Sequence, residues 1–271
     1  MKLIKNIFFL ISFFYFMSAF VSDHFTLDKS ISQKGTSITS DNLGNIYIVL
    51  HDQLFKYDLG GTFLKSYSNK TLGNITTVDV SDPLKILVFY KDFSKVVFLD
   101  NTLSIKKDAI SLTDVGFDQA VLACTSYESG FWIFDQPSTK LIRYDNNLQQ
   151  SNQSENISQM TGKEIHPSHL AEYNNLVYLS DTTNGVFVFD RYGTYFKTIP
   201  ITGINSFQIQ ADQLLYLKAR KLISYNIKSF SETTIDLPVK EPMAIRVMQN
   251  KLIILYYEGV NIYSSDKNIG E

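Results

Sequence analysis

Aspartate recurs at one kind of position in this chain. Asp58, Asp100, Asp145 and Asp190 each end a short apolar run, in LFKYD, VVFLD, LIRYD and VFVFD, and Asn226 takes the same place in LISYN. Carboxylates repeated at regular intervals are one way to hold a metal ion. They are also a way to close β-turns, because Asp and Asn accept hydrogen bonds from backbone N–H groups two residues on, and the turn reading is adopted. His166 and His169, in IHPSHL, have a spacing that suits two imidazole ligands of one zinc. Pro167 interrupts a helical turn there and no second His or Cys pair completes the ligand set, so both are read as surface-loop histidines. Cys124, the single cysteine, lies in the apolar run VLACTSY and reads as a buried small residue. No Gly-x-Ser-x-Gly elbow, phosphate loop or dinucleotide fingerprint is present.

The elements that carry these residues are short strands. In SDNLGNIYIVLHDQLFKYDLGG, residues 40–61, the runs Ile46 to Leu50 and Leu54 to Tyr57 are β-branched and aromatic, too short for helices, and bracketed by turn residues. The second of these runs has counterparts ending at Asp100, Asp145, Asp190, Asn226 and Ser264, spaced 42, 45, 45, 36 and 38 residues apart. The strand before it recurs as NIYIV, KILVF, GFWIF, LVYLS, LLYLK and LIILY. Each period accommodates four strands: in the first copy Ser37 to Ser40, Ile46 to Leu50, Leu54 to Tyr57 and Thr62 to Tyr67; in the fourth Leu170 to Tyr173, Leu176 to Leu179, Val186 to Phe189 and Tyr195 to Ile199. A four-stranded antiparallel unit repeated about every 40 residues predicts an all-β, six-bladed β-propeller. The sixth copy stops after its third strand, and HFTLDKSIS, residues 24–32, precedes the first copy with no blade of its own. It is expected to supply the outer strand of the last blade and close the ring.

Residues 1–22 read as a secretory signal peptide: Lys2 and Lys5 precede an apolar run broken only by Ser12 and Ser18. A retained membrane anchor is the other reading of the segment, and residues 23–271 are then a single propeller domain. Removal of 1–22 takes two of the 25 basic residues and none of the 27 acidic ones, leaving a mildly acidic chain. With no basic run, nucleic acid is not an expected partner. The sole Cys precludes an internal disulfide, so stability must come from packing.

The pattern DNLGNIYI at Asp41 to Ile48, followed by KYDLGG and later by VFDRYGTYFKTI at Val188 to Ile199, resembles the repeats of six-bladed NHL-type propellers, which are themselves similar to TolB-like blades. Copies two and three lack the D-x-x-G-N turn, and copies five and six lose the strand-end Asp. The composition, rich in Asn, Lys, Ile, Phe and Tyr, suits an AT-rich bacterium, and a Bacteroidota-type envelope protein is the expectation. The triplet Asp181-Thr182-Thr183 is similar to the O-glycosylation acceptor of exported proteins of that group. The resemblance also implies an alternative chemistry, since some six-bladed propellers are lactonase-like hydrolases with a divalent cation in the central channel. The positions facing such a channel here are Asp79, Asp82, Ser126, Glu172, Gln208, Gln210 and Arg246, too poor in carboxylates to favour it.

Other features favour contact over turnover. NNLQQSNQSENISQ, residues 146–159, is polar and almost uncharged, and is read as a solvated outer strand and loop. Lys107 to Gln119 is a second long connection and carries Asp108, Asp114 and Asp118; together the two connections are expected to make an acidic, amide-rich rim on one face. Asn152 and Gln153 in the first stretch, with Tyr192, Tyr256 and Tyr257 beside turns, complete the candidate contacts. The sequence thus predicts an exported, monomeric, non-catalytic propeller without cofactor that binds a protein partner in the periplasm or cell envelope, touching the membrane only if residues 1–22 stay attached. A cation-dependent hydrolase or a small-ligand binder using the channel is the alternative.

Overall fold

A computed structural model describes residues 25–266 and residue 269; the signal-peptide reading of residues 1–22 lies outside the described residues. Six four-stranded antiparallel sheets follow one another along the chain. Blade 1 comprises Ser37–Ser40, Asn45–Leu50, Gln53–Asp58 and Phe63–Ser68; blade 2, Thr77–Asp79, Ile86–Tyr90, Lys95–Leu99 and Ile110–Ser111; blade 3, Ala120–Thr125, Phe131–Asp135, Lys140–Tyr144 and Gln150–Gln153. Blade 4 comprises Pro167–Tyr173, Leu176–Asp181, Gly185–Asp190 and Tyr195–Ile199; blade 5, Phe207–Gln210, Gln213–Lys218, Lys221–Asn226 and Glu232–Asp236. Blade 6 takes Ala244–Met248, Lys251–Tyr256 and Gly259–Ser265, and its outermost strand is Phe25–Ile31 from the other end of the chain. Ile31 pairs with Val260 and Phe25 with Ser265, as the sequence predicts for ring closure.

The middle strands are apolar without interruption because both their faces are covered. In Ile86–Tyr90, Ile86, Val88 and Tyr90 pack with Tyr47, Val49 and Leu54 of blade 1. Leu87 and Phe89 point the other way, against Phe131, Ile133 and Tyr144 of blade 3. This period-2 alternation builds one core cluster at each junction: blades 3 and 4 meet around Trp132 and Phe187, 4 and 5 around Val188 and Tyr216, 5 and 6 around Leu222 and Ile254. The sixth cluster joins Ile253, Leu255 and Ile262 of blade 6 to Ile38, Ile46 and Ile48 of blade 1, with Ile31 of the closing strand among them. Outermost strands face solvent and are correspondingly polar, as in Glu232–Asp236.

The recurring aspartates build the turn into the outermost strand. Asp100 Oδ1 accepts from the N–H groups of Thr102 and Ser104, Asp145 Oδ1 from those of Asn147 and Gln149, and Asp190 Oδ1 from those of Tyr192 and Thr194. Asp58 bonds Thr62 and Asn226 bonds Lys228 and Ser229 in the same manner. Each turn then needs a residue with positive φ. Gly61 and Gly193 supply it in blades 1 and 4, whereas Leu103, Leu148 and Phe230 adopt it in blades 2, 3 and 5 at φ of 59°, 61° and 60°. A side chain there costs about 1 kcal/mol or more against glycine. Phe230 is 69% exposed, so little packing offsets the strain. Phe230→Gly is therefore expected to raise the unfolding free energy by about 0.5–1 kcal/mol, read as a higher urea midpoint at unchanged slope; a lower midpoint would show that the ring has contacts outweighing the strain.

The polar stretch 146–159 ends differently from the expected strand and loop. After Gln150–Gln153 the chain forms a short helix, Ile157–Thr161, because Asn156 Oδ1 caps it by accepting from the Gln159 N–H and Ile157 is wholly buried in the blade 3–4 core. Among the described residues no helix is long and apolar enough to cross a membrane.

Candidate functional site

Two concave regions stand out, and the strand order determines both. The first is the central channel. The first strands of all six blades line one cavity of about 470 Å3, making them the innermost strands of the ring. Asp79, Glu172, Gln208, Gln210 and Arg246 line it as predicted, while Asp82 and Ser126 do not. Asp82 lies past the strand end, where its Oδ1 accepts from the Leu84 N–H. Ser126 sits behind Glu172 and donates its hydroxyl to Glu172 Oε2 at 2.6 Å.

The channel carboxylates are committed to the protein's own donors. Glu172 Oε2 also accepts from Trp132 Nε1 at 2.7 Å, and its Oε1 from the Tyr127 N–H, joining blade 4 to blade 3. Asp79 joins blade 2 to blade 3 by accepting from the N–H and hydroxyl of Thr125. Asp41 takes donors from Leu43, Asn45 and the Tyr47 hydroxyl. Such a set does not suit a divalent cation, which would have to displace these donors, and no group of three or more His, Cys, Asp and Glu side chains is arranged to hold a metal among the described residues.

His169 departs from the surface-loop expectation. It lies on the inner strand Pro167–Tyr173 and lines the channel, with its ring edge-on to Phe207 at 4.7 Å. His166 stays exposed beside Glu164, at 3.1 Å. The two histidines part because His166 precedes the strand, where its N–H donates to Asp181 Oδ2, whereas His169 lies within it. Burial, aided by the Arg246 charge, holds the His169 pKa down to about 3. An unfolded histidine titrates near 6.5, so between about pH 6.5 and about pH 3 the unfolded chain binds the extra proton. Stability from this group is complete above about pH 6.5 and is lost as pH falls. His169→Gln should flatten unfolding free energy against pH over that window by up to about 1.4 kcal/mol per unit; an unchanged acid slope in paired urea titrations would show that the histidine is solvated. Cys124 is buried as read, and burial raises its thiol pKa.

The second region is a groove of about 840 Å3 between blades 2 and 3, where the two connections singled out in the sequence approach each other. Asp108 and Asp114 from one connection meet Asn146 and Leu148 from the other, over a floor of Phe98 and Phe131. Lys85, Lys106 and Lys107 also line it, a basic component the sequence reading missed although Lys106-Lys107-Asp108 are adjacent. Lys85 donates to the Ser129 carbonyl and stands over the Phe98 ring at 4.3 Å, and burial lowers its pKa.

Of the expected acidic, amide-rich rim, Asp108, Asp114 and Asn146 line this groove, interspersed with the lysines. Asp108 belongs to the turn before the outermost strand of blade 2, whereas Asp114 and Asp118 follow that strand, at its opposite end. Asp118 is exposed outside the groove, its carbonyl accepting from the Ser94 hydroxyl. Asn152 faces the Tyr127 hydroxyl at 3.4 Å, and Gln153 accepts from Gln150. Tyr127 is stacked between the guanidinium groups of Arg143 and Arg191, at 3.6 and 3.7 Å, and Tyr192 extends that cluster with 58% exposure. Tyr256 and the exposed Tyr257 lie apart, at the hairpin between the second and third strands of blade 6, with Lys34 over the Tyr257 ring.

These features define the chain as a six-bladed β-propeller. Residues 164–269, spanning blades 4 to 6, match the family model described as 6-bladed beta-propeller. No curated protein matches. Among solved structures, streptogramin B lyase is similar with a TM-score of 0.61 at 10% identity, covering 90% of this chain and 98% of that one. The WD40 domain of Neurospora crassa Pan2 gives 0.60 at 10% identity, covering 92% and 98%. BamB from Moraxella catarrhalis gives 0.54 at 11% identity, covering 89% and 100%. At such identities the likeness is one of fold.

Proposed function

We propose that this propeller is an exported, non-catalytic platform that binds a protein partner in the cell envelope through the groove between blades 2 and 3. The observation that carries the reading is the meeting of two long connections from different blades around an apolar floor with both Lys and Asp at its edges. An extended segment laid there would bury apolar side chains on Ile110, Val115 and Leu148 and pair its polar groups with the rim. The rigid ring spares the surface most of the ordering cost of binding.

The test is amine-reactive crosslinking of the tagged full-length protein in native cell envelopes, with mass spectrometry of the partners and of the protein's own N-terminus. The expected result is a stoichiometric partner joined through Lys106 or Lys107 and lost in an Asp114→Ala, Leu148→Asp variant that keeps both lysines, with the N-terminus beginning near residue 23. Crosslinks that survive the double substitution, or that arise only at distant lysines such as Lys34 and Lys221, would place the contact elsewhere.

A further inference from the structure

Arg246 is the channel residue for which nothing above accounts. It stands on the inner strand Ala244–Met248, where its hydrogen bond is from NH1 to the Ile245 carbonyl at 2.7 Å, and among the described residues it forms no ion pair. A guanidinium has five N–H donors, so several remain for a molecule bound in the cavity. Burial pulls its pKa down to about 10. Asp41, Asp79 and Glu172 line the same cavity, each held by the donors described above, and none of them pairs with Arg246. Arg246 is part-buried, with its side chain at the cavity wall.

The groups around Arg246 are complementary to a particular kind of molecule. Gln208 closes the blade 5–6 seam, with its amide bonded in both directions to the backbone of Val247. Gln210, two residues along the same strand, also lines the cavity, and its buried Oε1 has no hydrogen-bond partner among the described residues. His169 and Phe207 form an edge-to-face wall, and Leu170 and Ile209 add apolar surface. The cavity of about 470 Å3 falls within the range of small-molecule sites, roughly 300–1,000 Å3.

We propose that the channel binds a small organic acid, with Arg246 holding its carboxylate, the apolar wall its body, and Gln210 accepting from a donor on the same molecule. The blade 2–3 groove plays no part, so this site stands or falls separately from the proposed partner contact.

The test uses benzoate, phenylacetate, hexanoate and 4-hydroxybenzoate as probes, each beside its neutral amide, in titration calorimetry on the full chain. At least one acid should bind saturably, with its amide weaker by about tenfold or more, the loss of a charge-assisted hydrogen bond. Arg246→Gln should abolish that preference while remaining folded, as reported by the fluorescence of the single tryptophan, Trp132. Gln210→Met should weaken 4-hydroxybenzoate more than benzoate. Sulfate competing as strongly as the best acid would reduce the site to a general anion site and overturn the organic-acid assignment. Absence of saturable binding by all four acids, equal affinity of acid and amide, or undiminished binding by Arg246→Gln would also overturn it. An Arg246→Gln chain that fails to fold would assign the guanidinium a structural role instead.

Discussion

Glu172→Ala lowers the unfolding free energy by about 3 kcal/mol, on the expectation that the donors it leaves are not replaced. Its carboxylate receives the Trp132 indole N–H, the Ser126 hydroxyl and the Tyr127 N–H. Trp132 is fully buried in the blade 3–4 core, so its N–H cannot turn to solvent. The Ser126 hydroxyl in turn accepts from Arg143 Nε, and Arg143 is itself buried, so removal of Glu172 also strips a nearby counter-charge from that guanidinium. Glu172→Gln keeps the shape and one acceptor oxygen and should cost about 1 kcal/mol. Urea unfolding followed by Trp132 emission separates the two, because the indole reports on the bond being cut. Equal costs for the two variants would mean that shape, and not the accepted hydrogen bonds, is what Glu172 contributes.

A comparable loss is expected at the ring's closure. A Cβ at Gly259 would overlap the carbonyl oxygen of Ile31, backbone against backbone, so no side-chain adjustment relieves it. Gly259→Val must push the Phe25–Ile31 strand away from Gly259–Ser265 and pull Ile31 and Val260 from the blade 6–1 core. The cost is about 3 kcal/mol, and the released strand exposes an unpaired edge that invites association. Calorimetry with size-exclusion chromatography should show a lower melting temperature together with oligomers. A monomer of unchanged melting temperature would show that the closing strand contributes little. Asp28 offers a gentler control: it accepts from Lys251 Nζ and Ser264 Oγ on the exposed edge of the same blade, and the Lys251 hydrogen bond, with that of Ser264, lowers its pKa.

Much of this architecture is legible in the sequence because propeller blades write themselves as apolar runs of fixed length with polar punctuation. Copies two, three and five depart from the repeat motif at particular residues, Leu103, Leu148 and Phe230, yet their turns keep the same geometry. The strand-end Asp or Asn holds the turn through its side chain, so the glycine can be lost without the shape. The helix Ile157–Thr161 is hidden because it rests on one cap and one buried isoleucine in a polar stretch. The sites are harder to read for a different reason. Arg246 could be placed in the channel from its strand, but whether an acid faces it depends on side chains from the five other blades. The groove likewise needs two stretches about 40 residues apart to become neighbours, and the lysines along it carry no spacing signal of their own.

The six junction cores carry a consequence for how the molecule opens. Every cluster is shared between two blades, so no blade encloses a core it could retain alone. Separating one blade would break two clusters at once, about a third of the interior, and leave its neighbours each with a bare apolar face. Partial opening is then penalised at every position around the circle. Amide protons of the middle strands, such as those of Val88, Ile133 and Leu179, should therefore exchange with deuterium together, at the rate of whole-ring unfolding, while those of the outermost strands exchange early.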